Sequence, residues 1–494
     1  MKNFHHRIVF IIMVCFVSGC TAVGSYQSLK MYDSPMLSDV SYATISYEGV
    51  ERNPVIVIPG VLGSRLVNAK TGDIVWGKYA GVDVFRRHFE KKQLALGLPM
   101  EKGKELWELQ DDLVSDGALD TIAVRLMGIT FQKGAYNDML RALQIGGYYE
   151  ETFENIYNKN YYTCFQFGYD WRRDLAENAR RLHAFILSKR AYLQRKYEML
   201  YNIKDYNVQF DIVAHSMGGL LSRYYLRYGP EDLPKDGSVP KVTWAGSEHI
   251  DKIMIVGTPN AGYVDTITEM VHGLKLDPAL PVYPPALVGT FHTLYQMLPV
   301  GGGHKIVDID DPDGEALDVF DPDLWIEMEW GLADPTQDAM LAKMLPHLKT
   351  KEERREVALD HLEKCLNRAR QFTQAMQVES TPPDDVALHL FLGDAVATSK
   401  IAVVDKLTGT IETTTYGAGD GKVLVDSAIF DTRAGGEWVP YQQSPINWSS
   451  VTFLFGAHMG ITKDNVFNVN MIYRLLETET KEQRRLRLGA EDHG

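Results

Sequence analysis

Ala214-His215-Ser216-Met217-Gly218 follows the apolar run 208–213 and opens a helical pattern over 220–228. A strand, a sharp turn and a helix in that order are the parts of a nucleophile elbow. The serine at such an apex is expected at positive φ, where the residues two before and two after it must be small to escape collision. Ala214 and Gly218 both are. Ser216 is therefore the candidate nucleophile, and the rest of the chain is read for what would activate it.

Upstream, residues 54–58 are apolar and mostly β-branched and close on Pro59-Gly60, a pattern that suits a central parallel strand covered on both faces. Residues 136–143 read as a helix. Residues 161–167 predict a strand ending at Tyr169-Asp170-Trp171-Arg172, and 175–199 has the spacing and one-sided charge of an outer helix. Downstream, 253–256 predicts a strand that ends in Gly257-Thr258-Pro259-Asn260-Ala261-Gly262. A long insertion follows, with a Pro-rich aromatic stretch at 280–285, a helix at 289–298, an acidic loop at 308–323 and a charged amphipathic helix at 352–376. Strand 386–392 comes next, then a hairpin pairing 401–404 with 411–416, which leads to Gly419-Asp420-Gly421. A last strand at 451–455 precedes Gly456-Ala457-His458 and a helix at 466–476. Strands alternating with helices around an elbow predict an α/β class, the α/β-hydrolase: a mostly parallel sheet, helices on both faces and a large cap inserted before the late strands. The expected segments are 53–261 and 385–480 for the two parts of the core, 262–384 for the cap, and 481–494 for a charged tail.

In that architecture an acid and then a histidine follow the serine. Of 14 histidines only His458 and His493 lie beyond the late acids, and His493 is in the charged tail. His458 is the base by elimination, just after the last strand, where a loop hangs over the sheet's C-terminal edge. An ionised carboxylate is needed to hold its tautomer. Asp394, directly after strand 386–392, and Asp420, between glycines, compete for that place, with Asp385 and Asp426 behind them; spacing alone leaves the choice open. Backbone amides of Val61 and Met217 are the expected oxyanion donors.

No metal and no cofactor are expected. Setting Gly314 at the obligatory glycine of a calcium loop puts Ile309 first and Phe320 last, where carboxylates are required. Residues 417–421 lack the lysine of a phosphate loop. Cys164 and Cys365 show no neighbours of a nucleophile or a metal site, and are read either as a disulfide or as two buried thiols.

The N-terminus stands apart. Lys2 and Arg7 flank the start of an apolar run at 8–17, too short to span a bilayer, and 1–19 reads as a secretory signal. Val17-Ser18-Gly19-Cys20 resembles the lipobox of bacterial lipoproteins, which implies lipidation of Cys20 and a tether over 20–52. Thr21, in place of a retaining aspartate, favours an outer-membrane anchor facing the periplasm. Losing 1–19 removes two positive charges and no acid, taking the formal charge from −14 to −16. That acidity, with no basic aromatic-interleaved patch, argues against nucleic acid as a partner.

Pro54 through Leu66, Tyr169-Asp170-Trp171-Arg172, residues 214–219, Gly257 through Gly262 and Gly419-Asp420-Gly421-Lys422-Val423 together resemble the lecithin:cholesterol acyltransferase family. Lysosomal phospholipase A and phospholipid:diacylglycerol acyltransferase are members of that family. The resemblance runs from about Pro54 to Leu476 and implies a serine acylhydrolase or acyltransferase on lipid esters. It implies that the acid is Asp420, agrees with Val61 as oxyanion donor, and implies that Tyr169, Asp170 and Trp171 shape the substrate site. The segment 71–79, with Trp76, is similar to one that helps relatives contact membranes. Asp170 and Arg172 are alternatively read as a pair with each other. Ala214 departs from the family's commoner glycine, and the cap's acidic loop has no counterpart. Two other readings stay open: an esterase or amidase on smaller substrates, and a non-catalytic lipid-binding envelope lipoprotein on the same scaffold. The sequence leaves the oligomeric state open.

Overall fold

The computed structural model describes residue 45 and residues 47–491, apart from 80–85, 119–120, 127–128, 135, 153–157, 276–280 and 302. The signal segment, Cys20 and His493 lie outside the described residues. The strands that position the site are β1 (Val55–Ile58), β2 (Cys164–Gln166), β3 (Phe210–His215), β4 (Ile250–Val256), β5 (Lys305–Asp308), β6 (Ala387–Gly393), β7 (Val396–Asp405), β8 (Thr410–Gly419) and β9 (Ser450–Leu454).

Six of them make one sheet in the order β9–β6–β4–β3–β1–β2, with every neighbouring pair parallel. Every residue of β1, β3 and β4 is buried. This burial explains why 54–58 reads as a continuous apolar run: a parallel strand covered by helices on both faces has no polar side to show. The crossover helices are α1 (Leu175–Tyr201), from β2 to β3, and α2 (Met217–Tyr228), from β3 to β4. Asp174 caps α1 by accepting from the Glu177 amide at 3.0 Å. Parallel pairing sets Ile58 beside Ala214 and Val256 beside His215. The C-terminal ends of β1, β3 and β4 therefore finish level, and Gly60, Ser216 and Gly257 emerge at one edge. This is the α/β-hydrolase fold.

Between β4 and β6 run α3 (Asp265–His272), α4 (His292–Tyr295) and α5 (Lys351–Gln377), with shorter turns among them. Where the periodicity predicts one helix over 289–298, the structure has two short ones, Pro285–Val288 and His292–Tyr295, because the first ends at Gly289. A strand leads into the acidic loop and ends at its first residue, Asp308. β5 pairs in parallel with β7, which pairs antiparallel with β8, so insertion and hairpin share a three-stranded sheet. A Thr350–Glu353 capping box starts α5. Its far end lies on α2: Phe372 stacks on Tyr224 at 5.5 Å, Tyr228 Oη donates to the Ala375 carbonyl at 2.7 Å, and Arg223 reaches the Met376 carbonyl at 3.2 Å. Glu48–Gly494 form one compact unit. After β9 comes α6 (Asn465–Leu476). Cys164 and Cys365 are both buried and free, which answers the disulfide question in favour of two thiols.

Candidate active site

Ser216 sits between β3 and α2 at φ 54° and is 6 % exposed. A non-glycine residue holds that conformation only when its surroundings over-determine it, and here they do. The Ser216 amide donates to the Val256 carbonyl at 2.8 Å, and the Ser216 carbonyl accepts from Thr258 Oγ1 at 2.8 Å and the Gly219 amide at 2.9 Å. Thr258 belongs to the Gly257–Gly262 motif, so that motif braces the turn. Gly218 is needed for a close approach: a Cβ there would stand 2.7 Å from the Ile58 carbonyl oxygen and 2.6 Å from that of Pro59.

His458 reaches the serine from the loop after β9. Its Nε2 lies 2.9 Å from Ser216 Oγ, and its Nδ1 lies 2.8 Å from Asp420 Oδ2. The carbonyl of Asp420 accepts from the His458 amide at 2.7 Å, which ties the two loops together through the backbone as well. Asp420 is 1 % exposed. Burial alone would raise its pKa, but His458 and the amides of Val423 and Lys422, which donate to Oδ1 at 2.7 and 3.0 Å, outweigh it and hold the carboxyl below its ordinary value. Asp394 is exposed, Asp385 pairs with Lys481 at 3.2 Å, and Asp426 is half-buried. None of these three bonds to His458 among the described residues. Lys422 Nζ, two residues after Asp420, bonds Glu269 at 2.6 Å and Asp265 at 3.2 Å on α3, which anchors the acid's loop to the insertion.

The loop after β1 closes on the same point. A Cβ on Gly60 would lie 2.7 Å from Ser216 Cβ, so the chain entering Val61 passes against the serine as closely as glycine permits. Met217 opens α2, whose free N-terminal amides suit developing negative charge.

Two residues that sequence reasoning missed connect these loops. The Gly60 amide donates to Tyr136 Oη at 2.9 Å, Tyr136 Oη lies 3.2 Å from His215 Nδ1, and His215 Nε2 lies 3.1 Å from the His458 carbonyl oxygen. A carbonyl only accepts, so Nε2 carries the proton, Nδ1 accepts from the tyrosine, and the tyrosine oxygen accepts from Gly60. Every group in this relay is used once, and His215 must be neutral for it to work. Burial, the largest influence, pushes the His215 pKa down to about 3.

Of the expected substrate residues, Tyr169 Oη donates to the Pro59 carbonyl at 3.0 Å, and Trp171 and Trp76 donate to the carbonyls of Ser64 and Leu62 at 3.2 and 2.8 Å. All three brace the 59–64 loop. Trp76 packs edge-on against Trp171 at 5.2 Å and is buried, so the expectation of a membrane-facing tryptophan gives way to one in the core. Asp170 is held by Arg172, Oδ1 to Nε at 2.9 Å and Oδ2 to Nη2 at 2.7 Å, and Arg172 pairs further with Asp111 at 2.8 Å.

The family model for lecithin:cholesterol acyltransferase matches residues 132–337. Over that segment the chain is similar to the lecithin:cholesterol acyltransferase family. The matched region holds Tyr169–Arg172, the elbow and the Gly257–Gly262 motif, and ends before Asp420 and His458. That likeness supports a coarse class, a hydrolase or acyltransferase. Among solved structures, the Tle4–Tli4 complex is similar over 86 % of this chain and 98 % of that one, at 14 % identity and a TM-score of 0.51, a likeness of fold. EstA from Clostridium botulinum matches over 89 % of this chain and 91 % of its own, at 11 % identity and a TM-score of 0.31. The mature form of Bacillus licheniformis lipase BlEst2 matches over 87 % and 95 %, at 10 % identity and a TM-score of 0.30. No curated protein matches the sequence.

Proposed function

We propose that the protein is a serine-dependent lipid acylhydrolase or O-acyltransferase that works on ester bonds of phospholipids or related lipids. The observation that carries this reading is the unbroken chain from Ser216 Oγ through His458 to Asp420, at 2.9 and 2.8 Å. His458 Nε2 takes the serine proton as Oγ attacks the ester carbonyl carbon, and Asp420 holds the imidazole and stabilises its cation. The amides of Val61 and Met217 receive the oxyanion. The alcohol portion of the lipid leaves with the proton from His458, and an acyl-serine remains. Water or another lipid's hydroxyl then gives its proton to His458 and takes the acyl group. The buried aromatic residues around 59–64, Tyr169, Trp171 and Trp76, keep the oxyanion loop in place. The N-terminal pattern supports an envelope lipoprotein anchored through Cys20 at the outer membrane.

A fluorophosphonate probe should label wild-type protein and leave Ser216→Ala unlabelled. Mass spectrometry of phospholipid incubated with and without a sterol or glyceride acceptor separates free fatty acid from transferred acyl chain. A labelled but phospholipid-inert enzyme that cleaves only short-chain esters would sink the lipid reading, and an unlabelled wild type would sink the serine mechanism. Radiolabelled fatty acid should enter the wild-type protein in cells and not Cys20→Ser.

A further inference from the structure

His361 and Cys365 lie four residues apart on α5, hence on one face of the helix. His292, at the start of α4, packs against them, with the two imidazole rings 5.5 Å apart. One donor atom from each of the three falls within 4.8 Å of the others, and all three residues are buried, at 2, 1 and 1 % exposure for His292, His361 and Cys365. Neither ring nitrogen of His292 has a hydrogen-bond partner among the described residues, nor does His361 Nδ1. Interiors rarely leave such groups unmatched. His361 Nε2 faces the Thr290 carbonyl at 3.5 Å. A proton on Nε2, directed at that carbonyl, leaves the Nδ1 lone pair free and fixes the tautomer, the usual support for a metal-ligating histidine. The sequence offers His361 beside Cys365 only as a helical spacing, and His292 joins through the fold; the expectation that Cys365 has no metal-type neighbours does not survive this geometry.

We propose that His292, His361 and Cys365 bind a zinc-like divalent cation that fastens α5 to α4. Two neutral imidazoles and a thiolate are a borderline-soft donor set that suits zinc in a tetrahedron, with a small fourth ligand such as water completing it. Metal–donor bonds of ~2.0–2.3 Å put tetrahedral donors ~3.3–3.6 Å apart, so the three side chains close by about 1 Å on loading. Binding replaces the Cys365 thiol proton, and one proton leaves for each ion bound. The Asp174 carboxylate, which caps α1 and pairs with Arg368 at 3.0 Å, acts electrostatically on both His292 and Cys365, while Arg173 and Arg172 act on His292 in the opposite sense. None of the three ligands bonds to Ser216, His458 or Asp420 among the described residues. The role is structural and independent of the serine chemistry.

The full chain, expressed with zinc and purified without chelator, should carry about one zinc per chain by elemental mass spectrometry, and Cys365→Ser and His292→Asn should lose it. Protein made in cobalt medium should show a thiolate-to-cobalt charge-transfer band in the near ultraviolet, absent from Cys365→Ser. Chelator under partly denaturing conditions should lower the melting temperature of wild type and leave that of Cys365→Ser unmoved. Wild-type protein with less than about a tenth of an equivalent of metal and no charge-transfer band overturns the proposal, whether or not the variants fold, as does equal metal in wild type and Cys365→Ser.

Discussion

Two groups of three polar side chains among the described residues differ in how their hydrogen bonds are met. At the sheet edge, Ser216, His458 and Asp420 form a closed series, and the flanking relay through Tyr136 and His215 accounts for each donor and acceptor in turn. In the insertion, His292 and His361 leave three ring nitrogens unmatched among the described residues, beside the Cys365 thiol. A satisfied group needs nothing further to be held where it is. An unsatisfied one points to a missing partner, because low-dielectric surroundings make the vacancy costly. The first set is pre-organised to act on something that arrives; the second is shaped to be completed.

The comparison breaks most directly at Ser216. Ser216→Ala should lower kcat/KM for a lipid ester by roughly 10⁴-fold or more while leaving the melting temperature within a few degrees, read by steady-state kinetics beside calorimetry. Retained turnover would move the nucleophile elsewhere. Asp420→Asn should cost about 10³–10⁴-fold in kcat, since the amide no longer stabilises the imidazolium, whereas exposed Asp394→Asn should leave kcat unchanged. Equal losses in both would reopen the identity of the acid. Tyr136→Phe leaves the Gly60 amide and His215 Nδ1 without their shared partner. A stability loss of about 1–3 kcal/mol is expected, with a fall in kcat of about tenfold and little change in KM; a shift in KM alone would count against a positioning role.

The smallest test uses a histidine outside both sets. Burial pushes the pKa of His389 down to about 4, and its Nδ1 contacts Ser450 Oγ at 2.9 Å. In the unfolded chain the same group titrates near ~6.5, so between about 4 and ~6.5 the unfolded state holds the extra proton and stability falls as pH falls. His389→Asn should flatten that dependence by up to ~1.4 kcal/mol per pH unit, measured by urea unfolding at several pH values. An unchanged slope would mean His389 titrates alike in both states.

What the chain disclosed on its own follows from how local each signal is. The elbow was legible because its demand for small residues acts over five positions, and β1 and the last four residues of β4 because a strand buried on both faces writes an apolar run there. His458 was reachable because chain order leaves few histidines after the late acids. Asp420 and Asp394 could not be separated by spacing, because what distinguishes them is a hairpin that folds back to bring Asp420 to His458 while Asp394 points to water. Tyr136 and His215 gave no signal: their partners lie 79 and 243 residues away in the chain. Trp76 was legible as a residue type but not as a role, since burial against Trp171 is a tertiary fact, whereas the pairing of Asp170 with Arg172 two residues on was already one of the readings the sequence offered. The strand that precedes the acidic loop was not read because its pairing partner β7 comes almost a hundred residues later.

The seat of α5 on α2 limits how a bulky substrate can gain entry. Because the end of the longest insertion helix grips the same rod that Ser216 leads into, a wholesale swing of the insertion would drag the Ser216 hydroxyl out of line with His458.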